Sequence, residues 1–157
     1  MAKRNRRRMK KEEALAYLEE WLGTYAQDER VLRMRQFPHH PPISAYTHSI
    51  RVVRKAVGVV SFLHRKVDWD VLLFAALLHD FYLYDFRERT SFKNGIIHPK
   101  KAAENAVALF GVNQHVVKAI RSHMFPLIFW RIPTSREAWI ISVADKLVSI
   151  KEFFTRK

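Results

Sequence analysis

Hydrophobic residues recur at the three- and four-residue spacing of a helix along most of the chain. This pattern predicts a first helix over residues 11–22, ended by Gly23, and a shorter second helix over residues 29–36. Residues 37–42 contain three prolines, which lack an N–H donor and favour extended backbone. No helix is therefore expected between the second helix and the next hydrophobic pattern.

The middle of the chain predicts two further helices with different apolar patterns. Ser44 is a suitable N-cap for a long helix over residues 45–64, whose hydrophobic positions form one face. Asp68 is expected to cap the next helix, in which residues 71–78 are hydrophobic on every side. A helix of this kind is buried at the centre of a domain.

The next part of the chain predicts one long irregular stretch. Residues 81–97 are rich in aromatic and charged side chains, and Asn94-Gly95 is expected to form a turn. Long irregular segments in compact domains are often functional. A helix is predicted to follow over residues 99–110, because Pro99 suits its first position.

Two more helices complete the predicted architecture. Asn113 is expected to cap one of them, and residues 134–137 have the form of a capping box that begins the last. The pattern predicts an all-α protein with a single domain over residues 12–157, preceded by a disordered basic arm over residues 1–11.

Composition supports a helical protein and narrows the chemistry. The four glycines leave few turns for a many-stranded sheet, and the absence of cysteine excludes disulfides and thiolate ligands. Any metal would be held by imidazole and carboxylate groups. The longest apolar run, residues 71–78, is far shorter than the roughly 20 residues that span a bilayer. We therefore expect a cytoplasmic protein with no membrane segment.

The formal net charge of +13 suggests contact with phosphate groups, but much of the charge is local. Seven of the 28 basic residues lie within residues 3–11, and without them the excess falls to +6 (13 − 7). A solvated tail is the expected state of such a segment. Weak nucleic-acid contact through residues 3–11 is the alternative.

The candidate chemistry begins where the buried helix ends, at His79 and Asp80. Burying a carboxylate without a partner costs several kcal/mol, so this pair needs a cation, a basic side chain or an exposed helix end. His48 lies in the first two turns of the long helix, and Asp145 follows the apolar run 139–144. Three helices thus each offer an imidazole or a carboxylate, a set that suits a divalent metal ion.

The order His48, His79-Asp80 and Asp145 resembles the signature of the HD-domain superfamily of metal-dependent phosphohydrolases. The residues that flank these positions match as well, and the resemblance covers about residues 44–150. It implies an HD-type helical bundle of about six or seven helices with the metal at its centre.

Two further histidines, His98 and His123, extend the resemblance to HD proteins with a two-metal centre. They lie in the intervals where those proteins carry extra histidines, as do the bacterial enzymes that split symmetrical dinucleoside tetraphosphates. The resemblance implies that Asp80 binds both divalent ions, and that the other ligands are His48, His79 and Asp145 for one ion and His98 and His123 for the other. Iron, manganese, nickel and zinc all accept such ligands.

The residues that follow His79-Asp80 do not identify the substrate. Many superfamily members place a phosphate-binding lysine there, whereas this chain has the aromatic segment 81–86, which suits core packing or stacking on a nucleobase. The residues expected to bind phosphate are Arg51, Lys146, Arg87 and Lys100. His39 and His40 are interpreted as turn residues rather than as a roof over the metal.

The resulting hypothesis is a metal-dependent phosphohydrolase. It would cleave a phosphate ester or anhydride of a phosphorylated small molecule, expected to be a nucleotide, through a metal-activated water with Asp80 as the catalytic residue. One alternative is a non-catalytic metal-binding signalling module with the same fold. Another is a nucleic-acid-associated protein that uses its basic arm.

Overall fold

A computed structural model describes residues 5–85 and 91–155 as a bundle of helices. These residues contain seven α-helices, which confirms the predicted all-α class. The helices are α1 (Lys11–Tyr25), α2 (Glu29–Leu32), α3 (Ala45–Leu63), α4 (Trp69–Leu78), α5 (Ser91–Phe110), α6 (Gln114–Ser122) and α7 (Arg136–Phe154). A 3₁₀ helix (Arg33–Gln36) follows α2, and four short strands are β1 (Arg6–Arg7), β2 (Pro38–His40), β3 (Ile43–Ser44) and β4 (Val67–Asp68).

Helix α4 lies at the centre of the bundle, as its uniform hydrophobicity predicts. Helices α3, α6 and α7 pack around it, and most of its side chains are fully buried. With ten residues it is short, and no helix within the described ranges is long and apolar enough to cross a membrane. The two residues that follow this central helix, His79 and Asp80, therefore lie in the interior of the domain.

Three of the predicted N-caps are confirmed by hydrogen bonds from side chain to backbone. Ser44 accepts from the N–H of Thr47, and Asp68 accepts from the N–H of Val71. Asn113 accepts from two backbone N–H groups in the first turn of α6. These caps satisfy donors that have no partner within the helix, so they set where α3, α4 and α6 begin.

Helix α1 continues past Gly23, so the predicted end at this glycine is wrong. The last turn is held by packing, because the Tyr25 ring lies 4.8 Å from Trp21 and 4.7 Å from Phe74 between centroids. A glycine within a helix costs only about 1 kcal/mol relative to alanine, which such aromatic contacts offset.

Helix α5 begins at Ser91 rather than at Pro99, so the predicted Asn94-Gly95 turn is also wrong. Asn94 is buried, and a Cβ on Gly95 would lie 3.6 Å from the Met124 side chain. Tertiary packing of this first half therefore overrides the local turn preference. Residues 81–85 are irregular, as expected, and residues 86–90 lie outside the described part of the chain.

The last helix begins one residue later than the predicted capping box. Ser135, and not Thr134, accepts from the N–H of Ala138. Glu137 does not bond to the backbone at the start of its own helix, as a capping box requires. Its buried Oε1 instead accepts a hydrogen bond from the backbone N–H of Asp68 at 2.7 Å. Glu137 thus joins the start of α7 to the start of α4.

Replacing Glu137 by alanine should lower the free energy of unfolding by about 1–3 kcal/mol, because it leaves the buried N–H of Asp68 without an acceptor. Urea denaturation of the variant measures this loss. Glu104→Ala, at an exposed position of α5, is the control and should change the value by less than about 0.5 kcal/mol. Equal stability of the two variants would contradict this role for Glu137.

The N-terminal segment is not a free arm over residues 5–9, and the expectation of disorder is corrected there. Strand β1 pairs antiparallel with β4, the indole N–H of Trp69 donates to the Arg7 carbonyl at 3.0 Å, and Met9 is buried. These contacts hold the segment although three arginines, residues 6–8, remain exposed. Residues 1–4 lie outside the described part of the chain.

Candidate metal centre

The end of α4 meets α3 and α7 in a buried cluster of imidazole and carboxylate groups. His48 Nε2 lies 3.0 Å from Asp145 Oδ1 and 3.7 Å from Asp80 Oδ2. His79 Nε2 lies 3.4 Å from Asp80 Oδ2 and 3.7 Å from Asp145 Oδ1. The structure therefore brings together the four residues expected to hold the first ion.

The second oxygen of Asp80 faces a different pair of histidines. Its Oδ1 lies 3.4 Å from His98 Nε2 and 3.6 Å from His123 Nε2, and these two nitrogens are 3.1 Å apart. His98 comes from α5, and His123 follows α6 directly. The two oxygens of one buried carboxylate thus divide the cluster into two halves.

The backbone sets the tautomer of three of these histidines. Nδ1 of His79, His98 and His123 lies 2.6–2.7 Å from a carbonyl oxygen three or four residues earlier in the chain. A carbonyl oxygen only accepts, so each Nδ1 carries a proton, and in the neutral form of each ring the lone pair is at Nε2. In all three residues this lone pair is on the atom that faces Asp80.

His48 is held by a carboxylate instead of a carbonyl. Its Nδ1 lies 2.8 Å from Oε2 of Glu152, and Oε1 of the same glutamate accepts from Arg51 at 2.9 Å. Partners of this kind orient metal-binding histidines and increase their basicity. The sequence interpretation missed Glu152, although it lies seven residues, two helical turns, after Asp145 on α7 and so shares its face.

His39 covers the cluster, so its interpretation as a turn residue is wrong. It belongs to β2, its Nδ1 lies 3.1 Å from Asp80 Oδ2, and its ring stacks on His48 at 3.7 Å between centroids. The Tyr82 hydroxyl donates to the Pro38 carbonyl at 2.9 Å and ties β2 to the segment after α4. His40 is exposed but lines the cavity described below.

Burial opposes charge on both aspartates, yet both are ionised. Burial alone would raise the pKa of Asp80, but the adjacent His79 and His39 hold this pKa well below its usual range. Burial would likewise raise the pKa of Asp145, but the hydrogen bond from His48 and the positive charge of Lys146 keep this pKa well below its usual range. The centre therefore offers two carboxylate anions at neutral pH.

The pKa values of His48 and His123 shift in opposite directions. Burial would lower the pKa of His48, but its hydrogen bonds to Asp145 and Glu152 raise it to about 10. Burial lowers the pKa of His123 well below its ordinary value. His48 thus holds a proton between its two carboxylate partners, and a cation that binds at its Nε2 would displace that proton.

The four expected substrate residues lie in different places. Lys146 lines the cavity over the cluster and donates to Asp145 Oδ2 at 2.9 Å and to the His123 carbonyl. Arg51 points away from this cavity, toward Glu152 and a second cavity. Lys100 is exposed, 3.9 Å from Glu104, and does not line the cavity. Arg87 lies outside the described residues.

The cavity over the cluster has a volume of about 630 Å³. Asp80, His98 and His123 form part of its floor, and apolar groups complete its walls. These apolar groups are Pro41, Tyr82, Met124 and Leu127. Of the aromatic segment, Phe81 and Tyr82 are buried, which confirms core packing for both, and Tyr82 also reaches the cavity.

The residues present fit a divalent metal ion. His79 Nε2 and Asp80 Oδ2 are fully buried, and neither makes a well-aligned hydrogen bond among the described residues, although His39 Nδ1 lies 3.1 Å from Asp80 Oδ2. A buried carboxylate oxygen in this state costs free energy that a cation removes. Sets of three potential ligand atoms within 4.8 Å of one another include His48, His79 and Asp145, and also His79, Asp80 and His123.

A family model described as HD domain matches residues 45–150, about two thirds of the chain. The match begins at the first residue of α3 and ends within α7, so it includes all six histidines and aspartates predicted as ligands. No curated protein and no solved structure matches the chain.

Proposed function

The chain belongs to the HD domain family of metal-dependent phosphohydrolases, and from that premise we propose that it hydrolyses a phosphate ester or anhydride of a nucleotide with two divalent metal ions. The observation that carries the proposal is the placement of Asp80. Its two oxygens face two separate groups of imidazole nitrogens in a buried centre.

The ligand set divides between two ions. His48, His79 and Asp145 would hold one ion with Oδ2 of Asp80, and His98 and His123 would hold the other with Oδ1. All the ligands are nitrogen and oxygen atoms, so iron, manganese, nickel and zinc are each compatible.

The side chains around the centre support hydrolysis of a phosphorylated substrate. Bound divalent ions would supply Lewis-acid activation of water and neutralise charge on the phosphoryl oxygens. The backbone carbonyls hold the Nδ1 proton of His79, His98 and His123, so Nε2 of each ring is directed inward as the atom that would bind a cation. Lys146 brings a positive charge to the edge of the cavity, where it would donate to a phosphate oxygen.

The shape of the cavity favours a nucleotide. Its volume of about 630 Å³ is within the usual range for small-molecule sites, about 300–1,000 Å³. The floor carries the charged groups, and Tyr82, Met124 and Leu127 provide a wall against which a base would pack. Phosphate and base would thus bind in the same cavity.

A metal-supplemented screen of nucleotides, dinucleoside polyphosphates and cyclic dinucleotides tests the proposal. We expect hydrolysis of at least one class, its dependence on added metal, and its loss in His79→Ala, which removes a nitrogen that faces both carboxylates. Lys100→Ala is the matched control outside the cavity and should keep full activity. Tight metal binding without hydrolysis of any substrate would support the non-catalytic alternative instead.

Replacing Glu152 by glutamine should weaken metal binding by about 10–100-fold without unfolding the protein. The amide keeps the size of the side chain but removes the negative charge that makes His48 more basic. Metal titration with a competing chelator measures the affinity. Glu19→Gln removes an exposed carboxylate of α1 that pairs with Arg54, and it should leave the affinity unchanged. An equal affinity in both variants would exclude this role for Glu152.

A further inference from the structure

A second cavity lies between α3 and α7, on the side of Glu152 that faces away from the metal centre. Its volume is about 440 Å³. Four cationic side chains surround it: Arg51, Arg54 and Lys55 from α3 and Lys151 from α7. They share one side of the domain because they recur at helical spacing on two packed helices.

The carboxylates near this cavity neutralise only half of its positive charge. Arg51 pairs with Glu152, and Arg54 pairs with Glu19. Lys55 and Lys151 have no ion-pair partner within residues 5–85 and 91–155. Like charges that converge on one concave surface repel one another, and an anion bound between them would relieve that repulsion.

The wall of the cavity contains a glycine that the helix does not require. Gly58 lies in the interior of α3, where glycine costs about 1 kcal/mol relative to alanine. A Cβ at this position would meet no atom within 4 Å, so close packing does not explain the residue. The missing side chain leaves the space between the cations open.

We propose that this cavity binds a small anion with two or more phosphate groups, such as a nucleoside polyphosphate or an inorganic oligophosphate. Lysine and arginine bind phosphate through charge-assisted hydrogen bonds, and four such residues suit a ligand with several negative charges. The volume suits a molecule of this size. The proposal does not depend on the hydrolase activity, because none of the six predicted metal ligands lines this cavity.

Calorimetric titration of the full chain with inorganic tripolyphosphate tests the proposal. We expect saturable binding that is at least about tenfold weaker in the double variant Lys55→Ala/Lys151→Ala. The matched control, Lys101→Ala/Lys118→Ala, removes the same charge from exposed positions on α5 and α6 and should keep the parent affinity. Absence of saturable binding, or equal affinity in both double variants, would overturn the proposal.

The Asp80→Asn variant separates this cavity from the metal centre. Binding that persists in Asp80→Asn and is weakened there by the lysine substitutions supports the second cavity. Binding that disappears with Asp80→Asn assigns the anion to the metal centre and overturns the proposal. A single-stranded oligonucleotide that binds at the two lysines while tripolyphosphate does not would also overturn it, in favour of a nucleic-acid surface.

Two glycine variants provide an independent test that does not change charge. Gly58→Leu should fill the cavity and weaken tripolyphosphate binding at least about tenfold, while the protein stays folded because a Cβ at this exposed helical position meets no atom within 4 Å and leucine favours a helix more than glycine does. Gly23→Leu, at an exposed glycine inside α1 with equally open surroundings, should leave binding unchanged. Unchanged binding in a folded Gly58→Leu protein would exclude this cavity as the site.

Discussion

Replacing Asp80 by asparagine should remove bound metal and lower the hydrolysis rate by a factor on the order of 10³ or more. Among residues 5–85 and 91–155, Asp80 alone has one carboxylate oxygen facing each half of the centre. Asparagine has the same size but no charge, and its amide group offers one carbonyl oxygen where the carboxylate offers two. Both ions should therefore lose a ligand in a single substitution.

Metal analysis of the purified variant and rate measurements with added metal would check this result. Asp70→Asn is the matched control, because Asp70 lies in α4, the helix that ends just before Asp80, but accepts a hydrogen bond from Tyr17 outside the centre. It should retain both metal and activity. An Asp80→Asn protein that is folded by circular dichroism and still hydrolyses substrate at the parent rate would refute the two-ion centre.

Chelation of the metal should lower the melting temperature by roughly 8–16 °C. A ligand present at about 1,000 times its dissociation constant stabilises the folded state by about 4 kcal/mol, and each kcal/mol corresponds to about 2–4 °C for a domain of this size. The physical origin is the pair of buried carboxylates, Asp80 and Asp145, whose negative charges a cation neutralises.

Thermal unfolding with and without chelator, followed by addition of excess manganese, measures this effect. The melting temperature of Asp80→Asn should respond to neither treatment, so this variant is the control for nonspecific effects of the chelator. A parent protein that melts at the same temperature with and without metal would mean that the centre does not bind the ion in its folded form.

The start of a helix could be predicted from the sequence where it depends on a capping residue close by in the chain. The caps at Ser44, Asp68 and Asn113 were predictable because each side chain bonds to backbone groups two or three residues away. The start of α5 was not predictable from neighbouring residues, since Asn94 is buried in the fold and Gly95 faces the Met124 side chain from a distant part of the chain. The pairing of β1 with β4 likewise depends on contacts across about sixty residues of sequence.

The candidate ligands His48, His79, Asp80 and Asp145 could be identified because ionisable groups within apolar helices require a partner. His98 and His123 were implied only by the resemblance to HD proteins with a two-metal centre. The same reasoning did not identify His39 or Glu152, since a histidine among prolines and a glutamate near a helix end are ordinary in exposed positions. The cavity that the Arg51 side chain faces could also be determined only from the structure. It lies three residues after His48, about 60° away around the helix, which is enough to turn it toward a different cavity.

The sequence separation of the ligands has a consequence for how the protein acquires its metal during synthesis. Asp145 lies 97 residues after His48, the residue whose Nε2 it contacts. At a synthesis rate of about 5–20 residues per second, the early ligands wait roughly 5–20 s for the last one. A nascent chain therefore presents an incomplete set, and an ion held by all of these residues would bind only once α7 has docked. Metal content would then report the fraction of chains that have finished folding.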